Sequence, residues 1–510
     1  MSKHHMPQFP KSYWRDTVQL PSFPALDQSV KADVGIVGGG ITGITAAYLL
    51  AKQNVKVVLI DAGLLLDGTT GHTTAKVTAQ HGLIYDEFIQ HFGVEKASLY
   101  YQASAEAIQI VKEIMNEQKI DCDFSIEKAY LFTNEDSFLS NLEAEKQAYD
   151  QLEIASKLTD NMPLQIPVKS ALMMENQAQF HPLKYLRGLI EACKKMGVQL
   201  FEQTTAVDLE YNKHPTIVTH KGLRIACRQV ISASHYPFYD GQGFYPTRMY
   251  AERSYLIAVQ SPDPFPGGMY INAESPTRSI RSAISKDKGE LWLVGGESHK
   301  TGQGISTIKH YEALQQYAED HFDIKRFIDR WSAQDLITLD KLPYIGPITK
   351  KQESVLVATG YRKWGMTNGT IAAKIMSDMI LEQDHPYEDL FSPSRFQADP
   401  AIKNFARMNT DVAKHLIKGK LEYTNNHLET LQSDDATITR INGQRTGVYK
   451  DEKDQFHMVD TTCTHLGCEV AWNSGDRTWD CPCHGSRFSY TGEVIEGPAK
   501  KPLATVQRDD

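Results

Sequence analysis

The sequence predicts an α/β body with an antiparallel sheet inserted in it, followed by a small all-β domain. Three observations carry this. Residues 33–61 run as strand, glycine turn, helix and strand. Apolar periodicity gives way to strict alternation between about residues 250 and 294, then returns. Four of the seven cysteines crowd into residues 463–483, behind short segments punctuated by turns.

Composition bounds the rest. At 510 residues the chain has room for about three domains and a large core. A net charge of −9 without a basic block gives no reason to expect nucleic acid or an acidic membrane as partner. Residues 1–14 lack the apolar stretch of a secretory signal, so the expected location is the cytoplasm. Residues 34–51 are uncharged and long enough to resemble a membrane span. Their five glycines, strand-like first half and immediate second strand argue against one, so a soluble protein without a span is expected. Cys122, Cys193 and Cys227 are scattered and read as free thiols.

Taken in order, residues 1–30 form an arm in which Pro7, Pro10, Pro21 and Pro24 oppose regular structure. Val34, Ile36 and Val37 then make a short strand. Gly38, Gly40 and Gly43 fit G-x-G-x-x-G, which needs glycine for the turn, for backbone approach to a pyrophosphate and for helix–strand packing. The helix that follows, with Ala46, Ala47, Leu49 and Leu50 on its apolar face, points its N-terminal N–H groups at a diphosphate. A second buried strand over 55–60 ends at Asp61, about 20 residues past the turn, where an acid accepts from a ribose 2′-OH. Residues 68–82 are rich in Gly and Thr without a period, a loop expected to line a cofactor. Its titratable groups are His72, Lys76 and His81. Either of the first two can face a substrate or brace the loop.

Helical stripes cover 103–115 and 142–152, and a helix over 183–196, closed by Gly197, feeds a strand at 198–202. Residues 204–207 and 228–234 continue the α/β pattern. Alternation at 255–259 and 291–294 predicts the inserted antiparallel sheet, placed to cover the open side of a cofactor. A strand at 354–360, a glycine-containing loop and a helix opening near 367–369 make a second helix N-terminus that can face an electron-rich group. Residues 381–430 turn polar, with a helical stretch about 402–421. Short strands follow around 437–449, hinged on an Asn442-Gly443 hairpin.

The turn at Gly38, the 68–82 loop, residues 338–347 and the 358–369 stretch together resemble the FAD-dependent oxidoreductases of the glycine oxidase and D-amino-acid oxidase superfamily, over roughly 31–385. The resemblance implies an FAD-binding Rossmann-like domain from segments about 31–100, 180–240 and 335–385, with the substrate sheet mainly in 241–334. It further implies that Asp61 holds the adenosine ribose, where many members have Glu, and that the backbone near Val207 touches adenine. The helix start at Gly365, Met366 and Thr367 is implied to lie by the flavin pyrimidine edge. A single G-x-G-x-x-G leaves no expected place for a nicotinamide domain.

Cys463, His465, Cys481 and His484 stand at C-x-H and C-x-x-H spacing, ligand types that suit either an iron–sulfur cluster or zinc. The surplus pair Cys468 and Cys483, with Gly467, Pro482, Gly485 and Ser486, resembles the Rieske [2Fe–2S] domain over about 425–510, after a linker at 386–424. That resemblance implies Cys463 and Cys481 on one iron, His465 and His484 on the other, and a Cys468–Cys483 disulfide. Phe488 stands where quinol-oxidising members carry a Tyr that hydrogen-bonds a cysteine sulfur, which implies a lower potential. Residues 497–499 resemble the proline loop that covers the cluster.

Flavin takes two electrons and a Rieske cluster one, so the expected function is a dehydrogenase. A small amine or amino-acid-like substrate would deliver hydride to flavin, and electrons would pass through the cluster to or from an outside protein or quinone. The alternative is an electron-transfer or redox-sensing protein without small-molecule turnover. No motif supplies a catalytic acid or base; His72, Arg253, Tyr255 and Lys363 are candidates, each with a structural role as the competing reading.

Overall fold

A computed structural model of the chain describes residues 5–211, 213–395, 398–421 and 428–507. The body is built on a six-stranded sheet whose spatial order is Tyr344–Pro347, Val355–Thr359, Gln229–Ser232, Val34–Val37, Val57–Ile60 and Gln199–Phe201. Its neighbours are parallel except at the Tyr344–Pro347 edge. The two strands flanking the glycine turn are buried at every residue, which is why they read as continuous apolar runs rather than alternation. Helices Ile41–Lys52 and Gly365–Ile380 pack together, and Pro182–Lys195 packs on the first of them.

Two glycines of the turn are enforced by space. Gly38 has φ +111°, and a Cβ there would lie 2.4 Å from the Ala233 carbonyl oxygen; one on Gly43 would lie 1.9 Å from the Gly38 oxygen. Helix and strand therefore meet at backbone distance.

A nine-stranded sheet covers the other side of the body. Its core is an antiparallel set, Met249–Gln260, Arg278–Ser285, Gly289–Lys300 and Arg326–Thr338, of which the first and third hold the alternating stretches 255–259 and 291–294. The sheet is wider than the alternating region, because Ser125–Thr133, Ser156–Thr159, Ser170–Gln179 and Lys76–Val77 belong to it too. Residues 129–133 are buried on both faces, so no alternation marks that strand. A separate four-stranded sheet combines Val30–Lys31 with Arg224–Ala226, Pro215–Thr219 and Ala206–Tyr211.

The N-terminal arm departs from expectation. Tyr13–Thr17 is a helical turn lying between the prolines, and Tyr13 and Trp14 are buried. The Trp14 indole donates to the Thr73 carbonyl at 2.7 Å, fastening the arm to the 68–82 loop. That loop itself contains a 3-10 turn, Thr69–His72, and the short strand Lys76–Val77.

The helix expected at 402–421 runs over Ala398–Leu421. The expected linker at 386–424 and domain start at 425 fall partly outside the described residues. Beyond them lie a three-stranded meander (Asp435–Ile441, Gln444–Lys450, Phe456–Asp460) and a four-stranded sheet (Ala471–Asn473, Thr478–Asp480, Arg487–Ser489, Val494–Glu496). Asn442 and Gly443 take φ of 52° and 80°, as a two-residue hairpin of this hand requires. Among the described residues no helix is long and apolar enough to cross a membrane.

Candidate functional site

One cavity of about 1030 Å³ runs between the six-stranded sheet and the wide sheet, with Gly38, Gly40 and Ile41 at its floor. The Asp61 carboxylate faces it and accepts from the N–H groups of Gly39 and Gly63 at 2.7 and 2.8 Å. It thereby braces the turn, while desolvation pushes its pKa up. Gly365 and Met366 line the cavity. Thr367 stands behind them, its hydroxyl donating to the Thr78 carbonyl at 2.9 Å, and so ties the second helix start to the 68–82 loop. Thr205 and Ala206 form the wall near the expected adenine contact. The carbonyl of Val207 itself accepts from Lys500 Nζ at 2.6 Å.

Strand parity decides two of the four candidate catalytic residues. Tyr250, Glu252 and Ser254 present to the cavity, whereas Arg253 and Tyr255 stand on the opposite face of Met249–Gln260. Tyr255 touches the cavity wall at its strand position, but its hydroxyl donates to His299 Nε2 at 2.8 Å and its ring stacks on His310. Arg253 is 0% exposed and points at the C-terminal domain. His72 lines the cavity, with Nδ1 on the Gly68 carbonyl at 2.9 Å, and burial lowers its pKa. Lys363 lines it too, paired with Glu252 at 3.1 Å.

Two cavity groups carry more than the sequence reading gave them. Lys76 is 7% exposed, and its ammonium donates to the Tyr270 carbonyl at 2.8 Å and to Ser279 Oγ at 2.7 Å. Desolvation, then nearby Arg281, pulls its pKa down to about 7. The β-branched context of Val77 and Thr78 was the available signal that this lysine lies in a strand. His81 stacks on Trp364 with centroids 4.6 Å apart, and burial holds it neutral.

The cysteine cluster lies behind the cavity wall: Ala499, which lines the cavity, shares one apolar cluster with Cys463 and Cys481. Cys468 and Cys483 form a disulfide that pins two loops. Cys463 and Cys481 remain thiols, both buried and hydrogen-bonded to one another, which lowers the pKa of Cys463 to about 7. The rings of His465 and His484 meet edge to face at 5.0 Å. Each has a buried Nδ1 without a hydrogen-bond partner. Two buried thiols beside two orphaned imidazole nitrogens fit a two-Cys, two-His cluster. Cys481 Sγ also lies within 4.8 Å of the Cys468 and Cys483 sulfurs, but those two are spent in the disulfide and offer no thiolate.

The cluster loops rest on the body. Gln334 Nε2 donates to the Gly485 carbonyl at 2.9 Å, and Gln303 Nε2 to that of Pro482 at 3.1 Å. Beneath them Arg253 and Arg487 face Asp476, Asp480 and Glu496, all within 3.8 Å of a guanidinium nitrogen. The family model of FAD dependent oxidoreductases matches residues 33–379. The chain belongs to that family. The Rieske [2Fe-2S] domain model matches residues 422–507, so FAD and a [2Fe–2S] cluster are the cofactors of this oxidoreductase.

Over 508 residues, 100% of both chains, this oxidoreductase is 47% identical to a Bacillus subtilis (strain 168) chain named as a Rieske 2Fe-2S iron-sulfur protein, YhfW. It is 25% identical to gamma-glutamylputrescine oxidoreductase of Escherichia coli (strain K12), over 70% of this chain and 85% of the other. Glycine oxidase from Geobacillus kaustophilus shares the fold with a TM-score of 0.61 at 18% identity, covering 72% of this chain and 99% of that one.

Proposed function

We propose that the chain is a dehydrogenase that oxidises a small amine or amino-acid-like substrate at the C–H bond next to nitrogen. Its electrons leave one at a time through the cluster to an outside protein or quinone acceptor. The observation that carries this is the shared enclosure: the segment 494–500 of the C-terminal domain lines the same cavity as the Gly38 turn. Bound there, FAD supplies a two-electron acceptor and the cluster a one-electron carrier. The amine class is supported by the gamma-glutamylputrescine oxidoreductase and glycine oxidase likenesses.

In this reading Gly38, Gly40 and Gly43 cradle the diphosphate, Asp61 accepts from the ribose, and Gly365 and Met366 stand at the pyrimidine edge. Cys463 and Cys481 hold one iron, His465 and His484 the other. Lys363 and Glu252 orient the substrate from the strand face opposite Arg253, and His81 and Trp364 close that part of the cavity to water. A cytoplasmic setting belongs to the same reading, supported by three buried reduced thiols, Cys122, Cys193 and Cys227, although a disulfide is rare there.

The test is anaerobic. The loaded protein is mixed with a panel of amines and amino acids while flavin absorbance and the reduced-cluster paramagnetic signal are followed. Bleaching followed by the cluster signal is expected. Reduction by a protein donor alone, with every small molecule inert, would replace this reading with that of an electron carrier or sensor.

A further inference from the structure

The C-terminal domain does more than stand beside the flavin cavity. Val494, Glu496, Pro498, Ala499 and Lys500 form part of the cavity wall itself. Across the gap, Tyr236 lies between cavity and cluster: it lines the former, and its ring meets His465 with centroids 6.2 Å apart. A Cβ on Gly497 would lie 4.0 Å from Tyr236 Cβ, so the segment rests on the strand end that leads out of Gln229–Ser232.

Three attachments hold this wall in place. At its outer end the Lys500 ammonium donates to the Val207 carbonyl at 2.6 Å, next to Thr205 and Ala206 of the cavity. At its inner end Glu496 accepts from Arg253 at 3.2 Å and from Arg487 at 3.0 Å. Behind the segment, the Ala499 N–H donates to Ser486 Oγ at 3.0 Å, coupling the wall to the cysteine loop. The tether at Val207 and the Arg253 pair cross between domains, and the Arg253 guanidinium is fully buried, where charge-assisted bonds are stronger than in water.

We propose that residues 494–500 are a lid on the FAD site: the C-terminal domain completes the dinucleotide's binding surface, and the cofactor exchanges when this segment lifts from Val207. The inference rests on the cofactor alone and is independent of substrate and of the direction of electron flow. It gives the fused domain a second role, retention of the flavin, beside carrying electrons.

Hydrogen exchange on the whole, cluster-loaded chain tests it directly. Backbone exchange across 494–500 is expected to slow when FAD is bound relative to the FAD-stripped chain; equal exchange in the two states overturns the lid. Release of FAD, followed by recovery of its fluorescence, supplies the second measurement. Lys500→Met, which removes one charged hydrogen bond, is expected to speed release about fivefold, and Lys500→Arg to restore it, with the visible spectrum of the cluster unchanged in both. Unchanged release in Lys500→Met and in Glu496→Gln alike would also overturn the proposal. Neither readout depends on turnover, so a chain that oxidised no amine would still report on the lid.

Discussion

Lys76 is a charge held where charge is costly, with a carbonyl and a hydroxyl for company. Its pKa in the folded chain is about 7, against about 10.4 unfolded. Between those values the unfolded chain binds a proton that the folded chain lacks, so folding stability rises with pH across that window and the full cost is felt below about pH 7. Relative to Lys76→Met, the wild-type chain should gain up to about 4 kcal/mol between pH 7 and 10, read from urea unfolding at each pH. Parallel slopes for the two proteins would mean that Lys76 keeps its proton throughout. Phe488 invites a second substitution. It is fully buried in the cluster domain's core with Cys463 and Cys481. Phe488→Tyr adds a donor among the cysteine sulfurs, which favours the reduced cluster, so its midpoint potential in a paramagnetic redox titration should rise. At this scale the sequence was most legible where spacing foretold proximity: the fold brings Cys463 beside Cys481 and His465 beside His484. It was least legible where a strand's parity decides: Arg253 and Glu252 are adjacent, and a single residue step separates the domain interface from the cavity.

Among elements, the helix Ala398–Leu421 acts as a strap. Asn404 and Asn409 donate to the carbonyls of Leu339 and Thr247 on the body, and Asp411 pairs with Lys300 at 2.7 Å. Val412 and Leu416 pack against the cluster domain's core. An amphipathic stretch between two domains was visible as a 3.6-residue period, but which surfaces it joins depends on contacts distant in sequence. Leu416→Asp places a carboxylate against that core and should cost about 1–3 kcal/mol. Calorimetry should show the loss in the transition that releases the cluster, with the flavin body's transition little changed; a uniform shift of both would argue that the domains unfold as one. The six-stranded sheet was readable because each of its central strands is buried on both faces and appears as an apolar run. The wide sheet was read only in part, since Ser125–Thr133 and Ser170–Gln179 lie far from the alternating region and join it through long-range pairing.

For the whole molecule, what matters is that the domain junction is made of charge. Arg253 and Arg487 face three carboxylates, Asp476, Asp480 and Glu496; both guanidinium groups are buried, and of the carboxylates Glu496 alone opens on the cavity. Buried pairs of this kind contribute modestly when intact and cost several kcal/mol when one partner is lost, so the junction is specific and brittle together. The two guanidinium groups hold the Glu496 carboxylate at a pKa of about 2 against the desolvation that would raise it. Its stabilising share is therefore present above the unfolded value of about 4.3, and is lost as pH falls toward 2, amounting to roughly 3 kcal/mol. Acid should part the domains before it melts the apolar core of the body, whose central strands are held by burial at every residue. Small-angle scattering from pH 6 down to pH 2 should show the radius of gyration rise below about pH 4 while helical circular dichroism persists, and Glu496→Gln should bring the expanded form to neutral pH. A radius that stays constant until the helices are lost would place the strength of the junction in the Ala398–Leu421 strap and the Gln334 and Gln303 contacts, not in the charge network.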